Sequence, residues 1–114
     1  MYETQYNPWT GILTVTGNHL EIDDALYDGR IDRARKAYRS GNVPPSGLRV
    51  TENNGVPFKV TIKVKGSGNI YADPLEMKVS PVLNPFQKRN SRARIQSLKI
   101  TLDEHVESIR RKTA

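Results

Sequence analysis

The strictest alternation in this chain falls in PFKVTIKVKG, residues 57–66. Phe58, Val60, Ile62 and Val64 are apolar, and Lys59, Thr61, Lys63 and Lys65 stand between and after them. A period of two predicts a β-strand with one face in a core and the other lined by lysine. LRVTE at 48–52 has the same character, with Leu48 and Val50 inward. So has IYADPLEMKVSPVL at 70–83, with Leu75, Met77 and Val79 inward and a break expected at Pro74. NNG at 53–55 and GSGN at 66–69 are turn signals, so the middle of the chain reads as an antiparallel meander of three strands. GILTVT at 11–16 predicts a further strand. Gly17-Asn18 suits a two-residue hairpin turn, which makes HLEI the returning strand.

Helical spacing flanks these strands. One helix is expected from about Asp23, capped by Asp23 or Asp24, with acids at its start and Arg33, Arg35, Lys36 and Arg39 toward its end, as the helix dipole favours. Gly29 interrupts it, and the apolar face shifts from Ile22, Ala25 and Leu26 to Tyr27, Ile31, Ala34 and Tyr38, which predicts a kink at Asp28-Gly29. RSGN stops it, with Gly41 as a left-handed cap. Near the other end Ile95, Leu98, Leu102, Val106 and Ile109 recur at helical spacing, and Ser91 is a cap candidate. Leu98, Ile100 and Leu102 also alternate, and TLDE at 101–104 fits a capping box. A strand over 94–100 followed by a helix from Thr101 is therefore the rival to one long helix, which is preferred. Residues 84–94 are expected as a basic loop before it. Residues 1–10 are expected as a lead, ordered or flexible, with a turn at Asn7-Pro8 and Trp9 as an anchor.

These elements predict a single α+β domain over residues 1–114, an antiparallel sheet of four to five strands with two helices packed on one face. The expected core includes Leu13, Val15, Leu26, Ile31, Val60, Ile62, Val64, Leu75, Met77, Leu98, Leu102 and Val106. The absence of cysteine removes disulfides and cysteine-based zinc sites. MYETQYNPWTG lacks the basic and apolar regions of a signal peptide, and no run approaches the roughly 20 apolar residues of a membrane helix. A soluble, intracellular protein without membrane contact is expected.

Charge changes the picture more than composition does. The net charge is +6, but residues 1–32 carry six acids and one base, and residues 33–114 carry seventeen bases and six acids. No acid lies between Glu76 and Asp103, where six bases occur. Such polarity suits a polyanionic or acidic partner. Two groups of bases carry that expectation. Lys59, Lys63 and Lys65 project from one side of a strand, with Arg49 and Lys78 on neighbouring strands of the same face. Lys88, Arg89, Arg92 and Arg94 precede or open the last helix, where free backbone N–H groups and guanidinium forks both favour phosphate oxygens. The plain readings are a solvated sheet face, with lysines guarding edges, and a solvated loop. The helix RIDRARKAYR also carries bases, but Asp32 stands four residues before Lys36 and balances part of that charge.

Other chemistry is thinly represented. His19 and His105 would have to meet to act as an acid–base pair. EMK at 76–78 has the form of a metal-dependent nuclease strand, yet the acid such a site needs on the strand before it is missing from residues 53–72. Glu21, Asp23, Asp24, Asp28 and Asp32 lack cation-loop spacing and read as a helix start. No Walker A loop, dinucleotide fingerprint or nucleophile elbow is present, and no cofactor or metal is expected. The order helix, three strands, helix resembles that of double-stranded-RNA-binding domains, and PFKVTIKV is similar to one of their strands; QKRNSRARIQ departs from the lysine spacing that opens their second helix. Three function classes follow. The first is a non-catalytic nucleic-acid-binding accessory protein that contacts phosphate backbone, DNA and RNA undistinguished. The second is a protein-interaction module, an inhibitor or assembly subunit that docks on an acidic surface or pairs with itself. The third is a small metal-dependent nuclease.

Overall fold

Strands from both ends of the hydrophobic pattern join one antiparallel sheet in a computed structural model of the chain, which describes residues 2–28, 31–44, 46–51, 56–66, 68–69, 71–82 and 84–113. Among the described residues the elements run β1 (Glu3–Asn7), β2 (Ile12–Gly17), α1 (His19–Asp28), α2 (Asp32–Arg39), β3 (Leu48–Thr51), β4 (Pro57–Val64), β5 (Leu75–Pro81) and α3 (Pro85–Thr113). The sheet order is β1-β2-β5-β4-β3. The fold is α+β, with five antiparallel strands and, among the described residues, three helices where two were expected. The expected turn at 53–55 lies outside the described residues, as do Ser67, Ile70 and Leu83.

The hairpin near the start of the chain forms one turn earlier than the Gly17-Asn18 signal predicts. Residues 3–7 of the expected lead make β1, paired with β2 from Glu3↔Thr16 to Asn7↔Ile12. The turn is built by Asn7, whose Oδ1 accepts N–H bonds from Trp9 at 2.9 Å and Thr10 at 3.3 Å. Gly11 closes it in the left-handed region at φ 73°, and its N–H donates to the Asn7 carbonyl at 2.8 Å. Asparagine before proline, with glycine at the positive-φ position, is what such a turn requires.

HLEI is therefore not a strand. Asn18 and Glu21 form a capping box: the Glu21 N–H donates to Asn18 Oδ1 at 2.9 Å, and the Asn18 N–H donates to Glu21 Oε1 at 3.1 Å. That reciprocal pair starts α1 at His19, ahead of the expected Asp23. The helical stretch then breaks into α1 and α2, with Gly29 and Arg30 outside the described residues. Gly41 ends α2 with φ 74°, as expected.

α3 settles the ambiguity of the last segment in favour of one helix. Ile95, Leu98, Leu102 and Val106 are buried, whereas Ile100, which the alternating pattern would turn inward, is 55% exposed. Thr101 starts nothing; its hydroxyl donates to the Ser97 carbonyl within the helix, at 3.1 Å. The expected basic loop is also helical, because α3 begins at Pro85. Proline suits the first helical position, where its missing N–H costs nothing, and the Lys88 N–H donates to the Asn84 carbonyl at 2.6 Å. Ser91 is accordingly no cap. It is buried inside α3 and donates its hydroxyl to the Pro57 carbonyl at 2.8 Å.

One core cluster joins the inward strand residues Leu13, Val15, Val50, Phe58, Val60, Leu75, Met77 and Val79 to the buried residues of α1, α2 and α3. Ile62 and Val64 pack against it but are only partly buried. β3 pairs with β4 only from Pro57 to Val60, so among the described residues no strand flanks the second half of β4 on that side. Tyr2, Ile22, Ala25, Ala34, Val50, Phe58, Val79 and Ile95 are buried in the core beyond the expected set.

Candidate functional site

Alternation in the central strands leaves the second face of the sheet polar. Its side chains fall into three rows. Glu3, Thr16, Glu76 and Lys63 register across β1, β2, β5 and β4. Gln5, Thr14, Lys78 and Thr61 form the next row. At the other end Ser80, Lys59 and Arg49 register across β5, β4 and β3.

The rows differ in how charge is answered. Glu76 accepts from Lys65 at 3.0 Å and lies 3.5 Å from Lys78, and it stands opposite Lys63 in register. The hydrogen bond from Lys65 holds the Glu76 carboxyl below its ordinary range; partial burial opposes this, and the charges of Lys65 and Lys78 add to it. The glutamate of the E-x-K motif is thus engaged by lysines, and among the described residues no cluster of three or more His, Cys, Asp or Glu side chains gathers. In the third row, Arg49 and Lys59 are both exposed and directly opposite each other, and neither meets a carboxylate among the described residues. Like charges directly opposite across a ladder are destabilising, by up to about 1 kcal/mol.

The bases that open α3 lie on the other side of the sheet but at the same end. Phe58 and Val60 share the core with Ile95 and Leu98, so Lys59 projects from the side of β4 away from α3. The Ser91–Pro57 bond nevertheless fixes the opening of α3 at the start of β4, next to the Arg49–Lys59 row. Arg89 and Arg94 are exposed and Lys88 half-buried. Arg92 is placed differently from its neighbours. Its Nη2 donates to the Trp9 carbonyl at 2.9 Å, and its stem runs under Gly11, where an added Cβ would stand 2.5 Å from Cγ. The seven bases expected at a site are therefore divided. Lys59, Lys88, Arg89, Arg92 and Arg94 gather at one end of the sheet, and Lys63 and Lys65 sit with Glu76 at the other.

Trp9 joins that basic end; its indole is not the anchor of the lead that was expected, because it packs against no core residue and faces solvent. It is 87% exposed at the tip of the β1–β2 turn and borders a shallow hollow of about 720 Å³ that Gln5, Thr14 and Lys78 also line. The available signal was Asn-Pro-Trp-Thr-Gly itself, a turn sequence with a tryptophan where no packing is available.

The acidic group is used inside the chain. Asp23 accepts from Arg39 at 2.9 Å and from Arg35 at 3.2 Å, which ties α1 to α2. Hydrogen bonds from Arg39 hold the Asp23 carboxyl below its ordinary range; partial burial opposes this and Arg35 adds to it. Asp24 pairs with His105 at 2.6 Å, linking α1 to α3, and Asp32 pairs with Lys36 at 3.1 Å. His105 also stacks on Tyr2, while His19 meets Tyr71 edge-on with centroids 5.0 Å apart. The two histidines have separate partners.

No protein family, curated protein or solved structure matches the chain. Among the described residues, no helix is long and apolar enough to cross a membrane.

Proposed function

We propose that the protein binds nucleic acid through its backbone phosphates, at the end of the sheet where Arg49 and Lys59 face each other. The observation that carries this reading is that registered pair of like charges, exposed and without a carboxylate among the described residues. A phosphate beside the pair would replace repulsion with two charge-assisted contacts. Lys88 and Arg89 on the first turns of α3 extend the basic end, whereas Lys78 is turned toward Glu76. Lys63 and Lys65 contribute less, because Glu76 stands among them. Backbone contacts of this kind give affinity with little sequence preference. The rival, head-to-tail pairing of an acidic part with a basic part, is less favoured because Asp23 and Asp32 are already in internal ion pairs and Asp24 is hydrogen-bonded to His105.

The test is a salt series with labelled single- and double-stranded DNA and RNA, comparing wild type with Arg49→Gln/Lys59→Gln and with Lys88→Gln/Arg89→Gln. Removing one phosphate-binding cation should flatten the slope of log affinity against log salt by roughly 0.7 to 0.9. Wild-type binding with a slope reduced by about 1.5 in the first variant supports the reading. No binding to any nucleic acid at low salt refutes it and turns attention to a protein partner.

A further inference from the structure

We propose that Trp9 is a stacking platform for an unpaired base, so that the strand held on this face is single-stranded nucleic acid. The inference rests on the nucleic-acid reading above and specifies its substrate class. A tryptophan buried in a core adds a large apolar area to folding. Here the indole is left 87% exposed while the backbone that carries it is held from several sides. The Trp9 N–H is bound by Asn7 Oδ1 at 2.9 Å and its carbonyl by Arg92 Nη2 at 2.9 Å. Gly11 lies against the Arg92 stem, and the Tyr6 hydroxyl donates to the Arg92 carbonyl at 3.4 Å. The turn is therefore fixed and its aromatic ring is offered to solvent, the condition under which binding costs little conformational freedom.

The surroundings select the occupant. Gln5 and Thr14 line the adjoining hollow with donors and acceptors suited to a base edge or sugar, and Lys78 brings a charge. From β2, next to the Trp9 turn, to Lys59 on β4 is two strand spacings, about 10 Å. A chain stacked on Trp9 would thus run toward the Arg49–Lys59 pair, and a base on the indole must be out of its duplex. Stacking platforms beside cationic grooves are the general solution for single strands. Arg92 is a positioning residue in this arrangement, acting through the Trp9 carbonyl.

Trp9 is the chain's one tryptophan, so its emission reports this site alone. Full-length protein is titrated with oligothymidylate of about 15 nucleotides, and with a duplex of equal length, while label anisotropy and Trp9 emission are read together. Saturable quenching by the oligothymidylate is expected. Trp9→Ala should lose about tenfold in affinity for it, should keep its affinity for the duplex, and should be rescued in large part by Trp9→Phe. Oligothymidylate binding without quenching, or with full affinity in Trp9→Ala, overturns the stacking site and leaves the phosphate reading standing. Absence of binding to either probe at low salt overturns both and marks the exposed indole as a protein contact. For Arg92, Arg92→Met should lower the anisotropy of Trp9 emission in the free protein, and Arg92→Lys should restore part of it. Unchanged anisotropy in Arg92→Met would remove Arg92 from the arrangement.

Discussion

On α1 and α2 the acids Glu21, Asp23, Asp24 and Asp32 have partners, whereas at the β3–β4 end of the polar face two cations oppose each other with no carboxylate between them among the described residues. Glu21 closes the capping box on Asn18, Asp23 holds two arginines, Asp24 holds His105 and Asp32 holds Lys36. Arg49 and Lys59 stand in register, exposed, with no carboxylate among the described residues. The first region uses charge to join helices. The second sets two like charges in register, at some cost in stability. Net charge alone does not separate the two, because a base in α2 and a base in β4 count equally.

The contrast can be broken by moving charge on each side. Arg49→Glu/Lys59→Glu keeps a like-charge pair in the ladder, so the urea unfolding free energy should change by less than about 0.5 kcal/mol. Its affinity for polyanion at low salt should fall about a hundredfold or more. An equal loss of stability and affinity would show that the pair is structural. On the helical side Asp23→Ala should cost about 1–2 kcal/mol in urea unfolding, since it leaves Arg35 and Arg39 without their acceptor. It should leave nucleic-acid affinity unchanged.

The Asp23 contribution has a defined pH window. Its carboxyl is lowered in the folded protein, so the stabilisation is complete above the unfolded aspartate value near 3.9 and is lost as pH falls through the lower folded value. Wild type and Asp23→Asn should therefore differ in unfolding free energy at neutral pH and converge in strong acid. A gap that persists at all pH values would assign the effect of Asp23→Asn to packing rather than charge.

Smaller effects sharpen the same picture. Ser91→Ala removes the hydroxyl that ties α3 to Pro57 and should cost about 1 kcal/mol, read from thermal or urea unfolding. Lys59→Thr should stabilise the protein by a few tenths of a kcal/mol, because a β-branched residue replaces one member of the like-charge pair. Lys63→Thr, opposite Glu76, should not stabilise it. A gain from Lys63→Thr equal to that from Lys59→Thr would erase the difference between the two ends of the face.

Much of this fold is legible in single residues. The period of two from Phe58 to Val64 gives β4 with its inward and outward sides. The run of Ile95, Leu98, Leu102 and Val106 carries α3 once Ile100 is seen to be exposed. Local turn chemistry is harder to read. Gly17-Asn18 has the composition of a hairpin turn, yet Asn18 serves as a helix cap because Glu21 stands three residues on to complete the box. Pro85 reads as loop by its usual habit and starts a helix here, where its missing N–H is not needed.

The candidate site was legible as residue types but not as a place. Lys59, Lys88, Arg89, Arg92 and Arg94 can be picked out as bases with few acids nearby in the chain. That Lys59 opposes Arg49, that Lys63 opposes Glu76 and that Arg92 underlies the Trp9 turn depends on strand register and on contacts 83 residues apart. Alternation and spacing determined which side chains face water and which face the core, because those follow from the backbone period of each element. Which charges meet among the described residues was decided only when β2 of the first hairpin paired with β5 and α3 docked at the start of β4, because pairing across the sheet is set by long-range packing that no local pattern encodes.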